Sequence, residues 1–184
     1  VVPDTIDLSR YGASGEGQEA RHADWSPEAE QSVLGSLLIS NDCADDVLPL
    51  LQKQSFFNAA HQTIFQAIEA MVLANKPADV ITVYEQLQMA GKGAEVGGLA
   101  YLNALAQSVP SAANMRRYAE IVRERAVLRK LVTVSDEIAT NAFNPAGRNV
   151  SDILDEAEAK IMKIGEEGNK SKQGFHSMDG LVVD

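Results

Sequence analysis

The side chains able to catalyse or to ligate a metal are few and far apart. The chain holds three histidines, His22, His61 and His176, and one cysteine, Cys43. Zinc sites draw nitrogen and sulfur ligands from short, fixed spacings, and these four residues have none. His61 reads as a residue at a helix start or on the surface. Cys43 has no histidine near it to make a thiolate and reads as a small, half-buried thiol. Asp42, Asp45 and Asp46 cluster, but carboxylates at a helix start are accounted for by the positive end of the helix dipole. A phosphate-cradling loop needs G-x-x-x-x-G-K-[ST] between a strand and a helix. Gly91-Lys92-Gly93 and Gly168-Asn169-Lys170-Ser171 have neither the spacing nor the strand, and Gly91, Gly93 and Gly97 miss the dinucleotide pattern by one residue. Asn149-Val150-Ser151 and Asn169-Lys170-Ser171 fit the glycosylation pattern, but the first twenty-five residues are polar and show no secretory signal. No catalytic, cofactor-binding or metal-binding residue is assigned, and no enzyme activity is expected of this chain itself.

Charge points instead to contacts with other macromolecules. The net charge is −10. Residues 116–130 carry six basic side chains (Arg116, Arg117, Arg123, Arg125, Arg129, Lys130) and two acidic ones, a local +4 that leaves −14 on the rest. An acidic body does not grip a phosphate backbone by counterion release. The basic stretch reads first as a solvated helix face and next as a contact with an acidic neighbour, with nucleic-acid binding third. Arg125 falls between Tyr118, Ile121, Val122 and Val132 on the apolar face, where a charge requires a partner carboxylate or an interface.

The elements that carry these residues are helices. The composition, 45% hydrophobic and 23% charged, is that of a folded chain, and a single cysteine excludes a disulfide scaffold. The longest apolar run, Val33–Ile39, is broken by Gly35 and Ser36 and falls short of a membrane span, so no membrane contact and a cytoplasmic setting are expected. Residues 1–24 read as a disordered tail, and the initial Val suggests a trimmed start. Ser26-Pro27 caps a helix whose Val33, Leu34, Leu37 and Leu38 form one stripe. Helices follow over Asp42–Leu51, Ala60–Ala74, a segment opened by the capping-box spacing of Thr82 and Glu85, and one with Leu99, Leu102 and Leu105. From Asn114 to Ala142 no Gly or Pro interrupts, the turn Asn144-Pro145-Ala146-Gly147 comes next, and Val150–Ile164 forms a second long helix. The expected fold is all-α, a globular helical bundle over 25–112 followed by an antiparallel hairpin over 113–165. Residues 166–184 then form a flexible linker, with Gly165–Gly174 at its heart, and the start of a further helix from Phe175.

Five blocks in order carry a resemblance: SPEAEQSVLGSLL (Ser26–Leu38), HQTIFQAI (His61–Ile68), ADVITVYEQL (Ala78–Leu87), GGLAYLNAL (Gly97–Leu105) and PSAANMRRYAEIVRERAVLRKL (Pro110–Leu131). Together they resemble the N-terminal domain of the DnaB family of bacterial replicative DNA helicases, over about residues 25–184. The resemblance implies hairpins that pair between subunits, a collar on a hexameric ring, and a linker to a RecA-type motor that holds ATP and Mg and grips DNA in 5′→3′ unwinding at the chromosome. It implies primase and a helicase loader as partners. From the helix faces and the positions near the hairpin turn, the candidate interface to subunits or primase is Tyr118, Ile121, Arg125, Val132, Ile138 and Ile153, with packing inside the hairpin as the other reading of the last three. With no phosphate-binding loop of its own, the chain is expected to scaffold. The competing reading is a stand-alone helical adaptor or regulator of the helicase without a motor.

Overall fold

The computed structural model describes residues 25–173, and among these every regular element is helical. The expected tail over 1–24 and the further helix from Phe175 lie outside the described residues. In chain order the α-helices are α1 (Pro27–Ile39), α2 (Ala44–Val47), α3 (Ala59–Leu73), α4 (Val80–Met89), α5 (Gly98–Gln107), α6 (Met115–Phe143) and α7 (Val150–Gln173).

Helix α1 is the centre of the bundle. Ser26 caps it, its side chain accepting from the Ala29 N–H at 3.2 Å, and Pro27 occupies the first turn, where a missing N–H costs nothing. The sequence suggests one apolar stripe, but Val33, Leu34, Leu37, Leu38, Gly35, Ser32 and Ser36 are all buried. Helices α3, α5 and α6 surround it, so its middle turns have no solvent face and exposure is left to its ends, at Glu28 and Ile39. Its closest neighbour decides the identity of Gly35, where an added Cβ would lie 2.2 Å from the Leu105 carbonyl oxygen of α5.

The segment after α1 departs from the expected helix over Asp42–Leu51. It forms a 3₁₀ turn (Asn41–Cys43) and the four-residue α2 instead. Pro49 has no N–H to give and its ring clashes with a carbonyl four residues back, so the helix cannot run through it. Asn41 is spent on a long-range tie, its amide bonding the Ala78 carbonyl at 2.8 Å and its oxygen accepting from the Ala78 N–H at 2.9 Å. That tie fixes the approach to α4. The capping box of α4 is Asp79 with Thr82 rather than Thr82 with Glu85: the Thr82 N–H donates to Asp79 at 2.9 Å and the Asp79 N–H donates to the Thr82 hydroxyl at 2.9 Å.

A buried polar line runs through the bundle. His61 is not on the surface. It stands near the start of α3 at 1% exposure, with Glu30 of α1 equally buried. The Glu30 carboxylate accepts from His61 Nδ1 at 2.6 Å and from the Phe57 N–H at 2.6 Å. With Nδ1 donating to Glu30, a neutral His61 offers Nε2 as an acceptor to the Tyr101 hydroxyl of α5, 2.6 Å away. Burial pushes the Tyr101 phenol above its ordinary range, and the nearby Glu30 charge adds to the shift.

Helix α6 starts inside the bundle and leaves it. Met115, Ala119 and Val122 are buried, and Tyr118 and Ile121 pack against the core beside them. Ala126, not Arg125, continues that inward line, so Arg125 is exposed rather than set in the apolar face. Helix α7 returns antiparallel to α6 and runs to Gln173, past Ile164 and through the stretch expected to be a flexible linker. No proline interrupts 165–173, and contacts to α6 hold it: Lys130 pairs with Glu167, and Arg123 donates to the Gly168 carbonyl.

Removing the buried carboxylate by Glu30→Ala strands His61 and the Phe57 amide, and unfolding in denaturant should show a loss of about 3 kcal/mol or more. A phenol titrating above 10 adds stability below its unfolded pKa that is lost as pH rises through the folded one. Stability should therefore fall less steeply above pH ~10 in Tyr101→Phe than in the parent; parallel losses in the two proteins would contradict the assignment.

A candidate interaction surface on the helical hairpin

The turn between α6 and α7 is built from backbone that few residues tolerate. Ala146 and Gly147 have φ of 50° and 80°, and the Arg148 N–H closes the turn on the Pro145 carbonyl at 3.0 Å. From there a ladder of charges joins the arms. Arg148 reaches Asn141 at 3.0 Å and Glu156 at 2.7 Å, and Lys160 bridges Glu137 at 2.8 Å and Glu156 at 3.1 Å. The Glu137 and Glu156 carboxylates hold the Lys160 ammonium above its ordinary range, and Lys160 and then Arg148 hold Glu156 below its own. Thr133, Asp136, Glu137, Glu156 and Lys160 line an open groove between the arms.

The apolar residues of the hairpin tell a different story. At 100° per residue, Ile153, Ala157 and Ile164 of α7 share one edge of a stripe, and Val150, Leu154 and Ile161 share the other. The first edge turns inward: Ile164 is buried, and Ile153 and Ala157 are half-buried. The second faces solvent, with Val150 at 74%, Leu154 at 58% and Ile161 at 51% exposure. On α6, Leu128, Leu131 and Val132 are exposed as well. Between Arg123 and Lys163 no described residue is buried.

The six residues assigned from the sequence divide accordingly. Val132 stands on the exposed ridge, while Ile138 and Ile153 are half-buried along the arms. Tyr118 and Ile121 pack against the globular core, and Arg125 is exposed on α6 nearby. Sequence reasoning did not single out Val150, Leu128 or Leu131 as surface candidates. The signal was the phase of the stripe, since Val150, Leu154 and Ile161 at i, i+4 and i+11 sit on the side that α6 cannot reach.

The basic stretch is largely answered by the chain's own groups. Arg116 pairs with Glu120 at 3.6 Å, and Arg117 with Glu120 and Glu124, each at 3.3 Å. Arg129 donates to the Ser55 carbonyl at 2.8 Å and lies over the Phe57 ring, 5.5 Å from its centroid. Arg123 and Lys130 are held by the end of α7. Among the described residues no group of three or more His, Cys, Asp or Glu side chains could hold a metal, and no helix is long and apolar enough to cross a membrane.

Known proteins share both parts. The DnaB-like helicase N terminal domain family matches residues 22–124. The replicative DNA helicase DnaB of Pasteurella multocida is 44% identical over 157 residues, 85% of this chain and 34% of that protein. Its counterpart from Haemophilus influenzae is 40% identical over 149 residues, 81% of this chain and 32% of that protein. This chain thus spans about a third of the length of the curated relatives it matches. Among solved structures, the N-terminal domain of DnaB helicase from Mycobacterium tuberculosis superposes with a TM-score of 0.73 at 38% identity, covering 76% of this chain and 98% of that one. A DnaB-like replicative helicase, in a structure that also describes its interactions with primase, shares the fold at a TM-score of 0.64 and 23% identity, over 86% of this chain and 36% of that one. A helical bundle with α6 growing out of it, matched over residues 22–124 and at 44% identity to a full helicase, places the chain in one family: it belongs to the DnaB-like helicase N-terminal domains.

Proposed function

We propose that this chain is the collar of an ATP-driven 5′→3′ replicative DNA helicase, pairing with a second copy through its hairpin, ordering a hexameric ring and presenting a surface to primase. The burial pattern carries this reading. Two helices with no buried residue from Arg123 to Lys163 have no core of their own, and their apolar stripe is covered on one edge only. Isolated helices draw most of their stability from packing an apolar face, and an apolar ridge with a charged rim is the anatomy of a subunit interface. A second hairpin laid on Val150, Leu154, Ile161, Leu128, Leu131 and Val132 would complete the missing core. In this reading ATP, Mg and DNA belong to a motor domain, consistent with relatives about three times as long. Primase is the partner that the DnaB-like structural neighbour engages, and a helicase loader is a further partner of the assembled ring.

The pairing is tested with Leu154→Asn and Ile161→Asn together, followed by sedimentation. In a two-fold pair each change acts twice, and at about 1.5 kcal/mol per buried side chain the dissociation constant should rise about ten-thousandfold with helix content unchanged. A parent chain that sediments as a monomer at every concentration would refute it. For primase, Ile138→Asn with Ile153→Asn should weaken binding while far-UV dichroism stays constant. A loss of helix content would instead assign both residues to packing within the hairpin.

A further inference from the structure

Three side chains from distant parts of the chain meet over the loop Ser55–Asn58. The Trp25 ring lies 5.1 Å from the Phe57 ring, centroid to centroid, and the Arg129 guanidinium lies 5.5 Å from the centroid of the same ring. Aromatic pairs at this separation and a cation over an aromatic face are both attractive. The backbone beneath is fixed, because the Phe57 N–H donates to Glu30 and the Asn58 side chain caps α3. The Phe57 ring itself is 39% exposed and takes its position from what lies on it. Arg129 sits where α6 leaves the bundle: Val122 is the last buried side chain before it, and no described residue from Arg123 to Lys163 is buried. Beyond Arg129 the helix continues for fourteen residues to Phe143, about 21 Å. A turn of about 10° at this point shifts the hairpin tip by about 4 Å over that length. Trp25 stands outside α1, whose cap is Ser26 and whose first residue is Pro27, so it can leave Phe57 without unwinding a helix. Residues 1–24 lead directly into it.

We propose that Trp25 is a strap over Phe57 that sets how firmly Arg129 holds the hairpin to the bundle. With Trp25 in place the Phe57 ring is confined, and Arg129 has the ring and the Ser55 carbonyl to hold. A pull on the residues before Trp25 draws it away, the ring turns toward solvent, and Arg129 loses the face it rests on. The hairpin then swings about the end of the buried stretch at Val122. The coupling is reciprocal, so loosening Arg129 also loosens Trp25. The strap acts within one chain and does not depend on the pairing proposed above.

Both directions of the coupling can be read. The chain has one tryptophan, so fluorescence reports the strap directly. Arg129→Gln should raise the fraction of Trp25 open to acrylamide about two- to fivefold, the size of an exposed cation–π contact. In the other direction, spin labels at Gln66→Cys on α3 and Ser151→Cys on α7, with Cys43→Ser and an excess of unlabelled chain, read the hairpin against the bundle. Trp25→Ala should broaden the distance distribution by about 4 Å, with Trp25→Phe keeping the parent's width and far-UV dichroism constant. Phe57→Leu keeps apolar bulk but removes the aromatic face. It should broaden the distribution equally, and it stands in if Trp25→Ala costs helix content. Distributions as narrow as the parent's in the folded variants, or quenching unmoved by Arg129→Gln, would overturn the proposal.

Discussion

The seat of α6 on α1 governs the rest of the molecule. Met115, Ala119 and Val122 are buried in the bundle, and because a helix is stiff, these few turns set the direction of everything that follows to Phe143. Arg129 adds a second hold two turns beyond the last of these buried side chains, on the Ser55 carbonyl and the Phe57 ring. A single 29-residue helix therefore belongs to the bundle at one end and to the hairpin at the other. Its first part satisfies its apolar face within the chain. Its second part does not: Leu128, Leu131 and Val132 stay exposed.

The buried line from Glu30 through His61 to Tyr101 does something an apolar core does not. Leu and Ile side chains repack with modest losses when their neighbours shift, whereas a buried carboxylate stripped of its donors is left with its full desolvation cost. Glu30 takes its donors from Phe57 and His61, so the start of α3 is pinned to one register against α1. Tyr101 extends the constraint to α5, 2.6 Å from His61. The segment pinned beneath, Ser55–Asn58, is also the one that Arg129 grips, so the polar line and the seat of α6 support each other.

Much of this architecture was legible in the residues. Ser26-Pro27, Gly97-Gly98 and Asn144–Gly147 mark helix limits because caps and turns act locally, and the long uninterrupted stretch from Asn114 could only be a long helix. What escaped depended on distant partners. Glu30 and His61 are thirty-one positions apart, and nothing near either one signals that they meet. Nothing near Asn41 signals that its amide is committed to Ala78, thirty-seven positions on. The apolar face of α6 was misplaced by one position, putting Arg125 where Ala126 belongs, since three or four apolar residues define a stripe only to within a fraction of a turn. Residues 165–173 were read as linker from two glycines and many polar residues. Their helical form comes from α6 lying alongside, which composition cannot express.

Electrostatics bears on how such chains meet. Two copies at −10 each repel, and the basic stretch that might have answered the partner's acidic body is already engaged with Glu120, Glu124, Glu167 and backbone carbonyls of its own chain. Pairing of copies, as proposed, would draw its attraction from burying apolar surface. Exposed apolar side chains lie on the bundle, at Ile39, Leu73, Ile81 and Met89, and along the hairpin, where the charge ladder of Arg148, Glu156, Lys160 and Glu137 stays between the arms and aligns them without consuming the ridge. Opposite charges are paired within one hairpin, and the apolar side chains of Val150, Leu154 and Ile161 are left facing outward.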